Sequence, residues 1–221
     1  MAPRHSLTST PHTIVRRVHP QPDSRLKYAL CDALARALAN DPFVQFIYSN
    51  PQQREEVLPG FLVNFVNNCV NDGHIDVLLL ETGEVIGGAL WMGPGNTIVA
   101  PITFIWRMVT GGTLGAAVKL GMKRLNQMTR YGEEVELIHR LAPLPHYYLS
   151  VLGIVPEFQG RGLGAMLLAP TIEQARKESV SLFAESTNPN NLAFYERQGF
   201  QRFHDGNPAS GPSFFALQMF P

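Results

Sequence analysis

The most informative segment of this chain is Val155-Pro156-Glu157-Phe158-Gln159-Gly160-Arg161-Gly162-Leu163-Gly164. It joins the most strand-like part of the sequence, 147–155, to a segment with helical periodicity that runs to about residue 178. Glycines between a strand and a helix let the backbone come close to a ligand, and the N–H groups at the helix start form a site for an anion such as phosphate. A plain strand-to-helix turn is the alternative for a glycine triplet that stands alone.

A dinucleotide-binding fold is one interpretation of the same glycines. Gly160, Gly162 and Ala165 match the spacing GxGxxA, and the next predicted strand ends at Glu185, roughly where a ribose-binding acid would lie. However, residues 156–159 separate the first strand from the glycines, and the 36 residues after Glu185 are too few to complete a doubly wound sheet. A dinucleotide-binding oxidoreductase is therefore a distant alternative.

Two blocks of the sequence resemble the GNAT acetyltransferase superfamily. The first contains its acetyl-CoA-binding pattern R/Q-x-x-G-x-G/A, with Gln159, Gly162 and Gly164 at the three specified positions. The second resembles the superfamily's later N…FYE…GF element, and the two stand in the usual order and at about the usual distance. Residues 140–203 are most similar to puromycin N-acetyltransferase-like members. The second block is Asn191-Leu192-Ala193-Phe194-Tyr195-Glu196-Arg197-Gln198-Gly199-Phe200.

The resemblance implies an α/β (α+β) fold, the GNAT acyl-CoA N-acyltransferase fold, in which helices flank a mixed, mostly antiparallel central sheet. It implies an acetyl-CoA-dependent N-acetyltransferase that transfers acetyl directly to the primary amine of a small molecule, such as an antibiotic or other natural product, in a ternary complex. Residues 13–221 are expected to form a single GNAT domain after a disordered tail, 1–12. A catalytically inactive acyl-CoA-binding sensor or interaction protein is the second alternative, and O-acetylation or a longer acyl chain stays open.

The resemblance also implies site residues. Tyr195 is expected to protonate the departing thiolate. The general base is open between Glu185, which ends a strand beside the cleft, and His146, whose ordinary pKa suits the task. His146, Tyr148 and Trp91 are expected to contact the acceptor amine, with aromatic core as the alternative for the two large rings. The expected acetyl-CoA contacts are Leu152, Gly153, Ile154, Val155, Gln159, Gly160, Arg161, Gly162, Leu163, Gly164, Asn191 and Tyr195.

Two of these contacts carry a prediction from local chemistry. Gly153 lies inside a predicted strand, which indicates a β-bulge or the close approach of a ligand. A backbone N–H near Leu152 or Ile154 would then polarise the thioester carbonyl as its oxygen gains charge.

The charge composition bears on which partners the protein can bind. Lys and Arg (18) balance Asp and Glu (18), and charged residues make up 16% of the 221-residue chain, so no basic footprint for nucleic acid appears. We expect a small-molecule amine as acceptor, no nucleic-acid or membrane partner, and a cytoplasmic monomer or homodimer. No metal is expected, because Cys31 and Cys69 have no CxxC partner and the seven histidines show no metal-ligand spacing.

Three segments leave structural questions. Residues 85–106 carry no charge and are long enough to span a bilayer, but interrupting glycines and prolines favour buried protein. The first 22 residues lack acids, as transit peptides do, yet a short tail before a strand at 13–18 is favoured. A helix is predicted from Pro59 to Asn71, and Pro170 is expected to kink the helix that follows the glycine loop.

Overall fold

The computed structural model describes residues 12–18, 22–95 and 121–221. The predicted tail therefore lies almost wholly outside the described residues. The periodicity of the sequence from Pro101 to about Arg140 also predicts helix, and residues 101–120 of that segment lie outside the described residues. The strands are β1 (Thr13–Val18), β2 (Gly73–Leu80), β3 (Val85–Met92), β4 (His146–Ile154), β5 (Ser181–Ser186), β6 (Gln201–Gly206) and β7 (Phe214–Met219). The α-helices are α1 (Ser24–Leu38), α2 (Pro42–Ile47), α3 (Pro51–Asp72), α4 (Met122–His139), α5 (Leu163–Glu178) and α6 (Leu192–Arg197).

The strands form one mixed sheet in the order β1-β2-β3-β4-β5-β7-β6. Every neighbouring pair is antiparallel except β4 and β5, which run parallel. Helices α1, α2 and α3 pack on one face of the sheet and α5 on the other, each over its own set of buried apolar side chains. This is the mixed, mostly antiparallel sheet flanked by helices that the sequence predicts.

The sheet opens at its one parallel pairing. Strands β4 and β5 are paired only along His146–Leu149 and Ser181–Ala184. At the next residue, Ser150, the β3–β4 register shifts by one position, which makes Ser150 an extra residue on β4, a β-bulge. Beyond it, the segment 151–154 stays paired with β3 but has lost β5. One edge of β4 is therefore free of β5 over these residues.

The bulge lies three residues before the position that the sequence suggested. At Gly153 the missing side chain has a packing reason instead, because an added Cβ would lie 2.8 Å from Ala37 Cβ and 2.9 Å from Leu34 Cδ2 on α1. Contacts this short require one group to move. Gly153 thus allows α1 to lie close to the sheet.

The start of α3 differs from the prediction. The helix begins at Pro51, with Asn50 as N-cap accepting a hydrogen bond from the Gln53 N–H at 3.1 Å, and Pro59 lies inside it. An interior proline costs ~3 kcal/mol. The neighbours Leu58 and Phe61 are buried, and each such side chain contributes about 1.5–3 kcal/mol on burial, so packing outweighs the lost hydrogen bond. The helix predicted after the glycine loop likewise continues past Pro170 to Glu178.

The two cysteines and the question of a membrane-spanning helix are also answered by the described residues. Cys31 and Cys69 are buried and free, and burial raises the pKa of both thiols to about 12. They behave as small apolar residues. Among the described helices, none combines the length and the apolar character needed to cross a bilayer.

Candidate active site

A cavity of about 310 Å³ lies where β4 and β5 separate. Its walls are mostly apolar, and its acidic groups are Asp41 and Glu185. Among the described residues, no Lys, Arg or His lines it. A small ligand with an apolar body and a cationic end therefore matches its chemistry. Its aromatic lining residues are Phe43, Phe61, Phe65, Tyr131, Tyr148, Tyr195 and Phe214.

Glu185 is the carboxylate in this cavity that is suited to moving a proton. It lies near the end of β5 with only 9% of its side chain exposed, and its Oε2 accepts a hydrogen bond from the Tyr148 hydroxyl at 2.6 Å. Burial raises the pKa of Glu185 to about 7, although the Tyr148 hydrogen bond works in the opposite direction. A carboxyl group that titrates near neutral pH can both take and release a proton there, as a general base must.

Asp41, the second carboxylate, has a different environment. It is the N-cap of α2, and its Oδ1 accepts hydrogen bonds from the Phe43 N–H at 2.9 Å and from the Thr187 hydroxyl at 3.0 Å. Burial raises the pKa of Asp41, and these hydrogen bonds lower it in part. In the sequence, Asp41-Pro42 indicates only the end of a helix, and this local pattern gives no signal that Asp41 lies in the cavity wall.

Tyr148 lines the cavity, whereas its neighbour Tyr147 does not. Side chains alternate along a strand, and Tyr147 points to the α5 face, where its hydroxyl donates to Glu178 Oε2 at 2.6 Å. Trp91 is fully buried on that same face, with its ring 6.3 Å from His74. The structure therefore brings Tyr148 to the cavity and leaves Trp91 in the core.

His146 lies behind the cavity wall. It is buried, and its Nδ1 is 2.9 Å from the Pro143 carbonyl oxygen. Its Nε2 is 2.7 Å from Nε2 of His139, the last residue of α4, and His139 in turn approaches Glu185. Sequence periodicity carries no signal for His139, because this contact joins the end of one helix to two separate strands.

Tyr195 lines the cavity from α6. Its ring packs against Phe194 and Phe200 at centroid distances of 5.2 and 5.6 Å. Burial, with a smaller contribution from the Asp41 charge, raises the pKa of Tyr195. The phenol is therefore protonated at neutral pH, as a general acid must be before it acts.

Asn191 lines the same cavity, just before α6. Its side chain makes no capping hydrogen bond to that helix, and its Nδ2 lies 3.5 Å from Ser186 Oγ. The side chain of Asn191 therefore does not cap α6.

The glycine loop exposes its backbone. Gly160 and Gly162 have φ of 73° and 76°, a left-handed conformation that favours glycine, and nothing lies within 4 Å of where either Cβ would be. Helix α5 starts at Leu163 without a side-chain cap. Its first N–H groups, at the positive end of the helix dipole, are therefore available for an anion.

Other residues of the motif hold the loop in shape. Gln159 Nε2 donates to the Ile154 carbonyl at 2.8 Å, and Arg161 donates to the Glu157 carbonyl at 3.0 Å. At Gly164 an added Cβ would lie 3.1 Å from the Phe194 ring, so this glycine allows α5 and α6 to pack closely.

The free edge of β4 presents backbone groups toward the gap. The Val155 N–H donates to the Ile86 carbonyl on β3 at 2.9 Å. Backbone groups of successive residues in an antiparallel strand point to opposite edges, so those of Ile154 and Leu152 point away from β3. Leu152 itself lines the cavity. An extended ligand could pair with this edge as an additional strand would.

These features agree with a known family. Residues 36–200 match the family described as Acetyltransferase (GNAT) family. The chain belongs to this family. The matched residues include the glycine loop and the whole Asn191–Phe200 block, and the GNAT prediction is confirmed. The protein is accordingly an acyltransferase of the N-acetyltransferase type, and members of the GNAT family use acetyl-CoA as co-substrate.

Individual proteins show the same relationship. An uncharacterized N-acetyltransferase of Schizosaccharomyces pombe is 26% identical over 174 residues, which span 76% of this chain and 67% of the yeast protein. A polyamine N-acetyltransferase of Drosophila melanogaster has a TM-score of 0.61 at 18% identity, covering 95% of this chain and 100% of that one. An arylalkylamine N-acetyltransferase of Aedes aegypti has a TM-score of 0.58 at 13% identity, covering 93% and 98%. At these identities the two structures show a shared fold.

Proposed function

We propose that this protein transfers acetyl from acetyl-CoA to the primary amine of a small, largely apolar molecule. The observation that carries the proposal is the cavity at the β4–β5 gap. Its wall contains both a carboxyl group whose pKa is about 7 and a buried, protonated phenol, Glu185 and Tyr195. These are the two proton-transfer groups that the acetylation of an amine requires.

The acceptor class follows from the lining of the cavity. Aromatic and aliphatic side chains suit an apolar body, and two carboxylates without a described basic residue suit one ammonium group. A polyamine would bring several charges into a mostly apolar space, at a high desolvation cost. We therefore favour arylalkylamines and amine-bearing natural products, including antibiotics of the puromycin type, over polyamines.

Acetyl-CoA has a matching surface beside this cavity. The exposed N–H groups of residues 159–164, at the start of α5, would hold the diphosphate, and the free edge of β4 at Leu152 and Ile154 would pair with the pantetheine arm. Asn191 would add a side-chain hydrogen bond. When bound, acetyl-CoA supplies the thioester carbonyl that reacts.

The reaction requires proton transfers that these residues can perform. An alkylammonium ion ordinarily titrates near 10.4, so Glu185 first takes one proton from the acceptor. The free amine then attacks the thioester carbonyl carbon, a C–N bond forms and the C–S bond breaks. Tyr195 gives its proton to the departing sulfur, and the second proton lost by the nitrogen returns to Tyr195. Glu185 then releases the first proton to solvent, so both residues are restored. The products are an amide and CoA, formed without an acetylated enzyme.

The test is to incubate the protein with acetyl-CoA and a panel of arylalkylamines, alkylamines, aminonucleosides and polyamines. We expect CoA release and an acetylated product, identified by mass spectrometry, with the apolar amines preferred. Initial rates at varied concentrations of both substrates should give intersecting lines, as direct transfer requires. The absence of both CoA release and a thermal shift with CoA would overturn the proposal. CoA binding without turnover would favour the inactive sensor, and protection by NAD(P) alone would favour the oxidoreductase.

A further inference from the structure

Two histidines and one glutamate, His146, His139 and Glu185, form a buried row at the cavity wall. Their hydrogen bonds show which nitrogen atoms of the two histidines carry protons. His146 Nδ1 lies 2.9 Å from the Pro143 carbonyl oxygen, which can only accept, so this nitrogen carries a proton. In a neutral imidazole the other nitrogen is then an acceptor. His139 Nε2, 2.7 Å away, must therefore be the donor to His146 Nε2.

Both rings are neutral near pH 7. Burial lowers the pKa of His146, and burial together with the charge of His146 lowers the pKa of His139 to about 3. With its single proton on Nε2, His139 has a bare nitrogen at Nδ1. That nitrogen lies 3.7 Å from Glu185 Oε1.

These two facing atoms are both buried, and among the described residues neither has a hydrogen-bond partner. If Glu185 is ionised, two lone pairs face each other in a site from which water is largely excluded, which is unfavourable. If Glu185 is protonated on Oε1, one proton serves both atoms once they approach by about 1 Å. Oε2 is already occupied by the Tyr148 hydroxyl.

We propose that His139 is a positioning residue that accepts a hydrogen bond from the proton that Glu185 takes from the acceptor amine. In this step the N–H bond of the ammonium group breaks, its electron pair stays on nitrogen, and an O–H bond forms on the carboxyl group of Glu185, which turns about its Cγ–Cδ bond to place that O–H at the oxygen facing His139. That O–H then donates to His139 Nδ1, while His139 remains neutral. The inference rests on the proposed function, since it assigns a role within the same reaction.

The surroundings of Glu185 support this role. The titratable groups near it are Tyr148 on β4, Tyr131 and His139 on α4, and Asp41 across the cavity. None of them is a cation near pH 7, so no described group there offsets a negative charge on Glu185. Packing alone is the other explanation of His139, because its ring lies 4.6 Å from Phe183 and 4.7 Å from Tyr148.

Two substitutions of His139 separate its proposed role as a hydrogen-bond acceptor from a role in packing alone. His139→Phe keeps an aromatic ring but removes the acceptor, and His139→Asn keeps an amide oxygen that can replace Nδ1. In His139→Phe we expect the acid limb of the kcat/KM profile to move about one pH unit lower, kcat to fall about tenfold and KM for the amine to change little. In His139→Asn we expect the limb to stay near its wild-type position. His204→Phe, at an exposed position on β6, is the matched control.

Wild-type protein provides a second measurement that does not depend on turnover. Nitrogen NMR of labelled histidine should show His139 protonated at Nε2 and bare at Nδ1, and infrared difference spectra against Glu185→Gln should show a hydrogen-bonded carboxylic acid at pH 6. A protonated Nδ1 would overturn the inference even if His139→Phe does not fold. An unchanged acid limb in folded His139→Phe, or equal shifts in both variants, would also overturn it. Absence of acetyl transfer by wild-type protein would instead refute the proposed function.

Discussion

Asp76 and Glu185 are buried carboxylates on opposite faces of one sheet, and their surroundings give them opposite properties. Asp76 on β2 is fully buried and accepts hydrogen bonds from Arg17 at 2.8 and 3.0 Å and from Thr171 at 3.0 Å. Burial would raise its pKa, but His74, whose Nε2 lies 3.6 Å from Asp76 Oδ2, and the hydrogen bonds and charge of Arg17 lower it to about 2. Glu185 is also buried, but among the described residues its hydrogen-bond donor is the Tyr148 hydroxyl and not a cation, and burial raises its pKa to about 7.

The difference supports Glu185, rather than Asp76, as the proposed proton acceptor. A carboxylate held by a guanidinium and a hydroxyl stays ionised and joins β1, β2 and α5, so Asp76 is a structural group. A buried carboxyl without a cation exchanges its proton near neutral pH. Burial alone therefore does not indicate a catalytic role; the absence of a positive partner does.

The largest expected effect is the loss of stability in Asp76→Asn. Asp76 is fully buried whereas Arg17 is one-third exposed, so we expect a cost of about 3 kcal/mol, from the charge-assisted hydrogen bonds that the carboxylate loses. We expect the free energy of unfolding in urea to fall by this amount, while kcat/KM stays near wild type below the melting transition. A large loss of activity at unchanged stability would mean that Asp76 acts in the reaction.

Glu185 should have the opposite effect on stability. Its pKa is about 7 in the folded protein against 4.5 ordinarily, so its contribution to stability is fully present below pH 4.5 and is lost as pH rises through 7. That loss is roughly 3 kcal/mol. We expect Glu185→Gln to match wild type near pH 5 and to be more stable at pH 8. Equal stability of the two proteins at both pH values would contradict the raised pKa.

The same substitution tests catalysis. Glu185→Gln removes the proton acceptor, and we expect kcat/KM at pH 8 to fall about 100-fold. Wild-type kcat/KM should rise from pH 6 to pH 8 with an apparent pKa near 7, because only the ionised carboxylate accepts a proton. Glu173→Gln, on the exposed side of α5, is the control. Wild-type rates in Glu185→Gln would mean that a different residue accepts the proton.

Tyr195→Phe should have the smallest of these effects. Loss of the phenol removes the acid that protonates the thiolate, and we expect kcat to fall about tenfold with CoA binding retained, as measured by calorimetry. A thiolate is a good leaving group even without a proton, so the reaction depends less on Tyr195. It depends more on Glu185, because a protonated amine cannot attack the thioester. If CoA binding falls together with the rate, the hydroxyl holds the co-substrate rather than protonating it.

Local motifs predicted much of the fold. The glycine loop follows a strand and starts α5, and Asp23 accepts a hydrogen bond from Leu26 N–H as the N-cap of α1. Both depend on residues close together in sequence, where chain geometry leaves few alternatives. Proline rules are local as well, but they failed at Pro59, because the buried side chains around it favour a continuous α3.

The chemistry of the site was harder to predict, because it depends on register. The pKa of Glu185 depends on Tyr148 and on burial, and those two residues are 37 apart in sequence. Which of Tyr147 and Tyr148 faces the cavity depends on how β4 lies in the sheet. The row of His139, His146 and Glu185 joins three separate elements. Sequence patterns name candidates in such cases but do not place them together.

The short pairing between β4 and β5 has a mechanical consequence. The sheet consists of two parts, β1–β4 and β5–β7, joined through only four residue pairs along β4 and β5. A ligand that lies along the free edge of β4 therefore acts as a brace between the parts. Binding of such a ligand should make the domain more rigid, and the protein without it should be most flexible along the gap between β4 and β5.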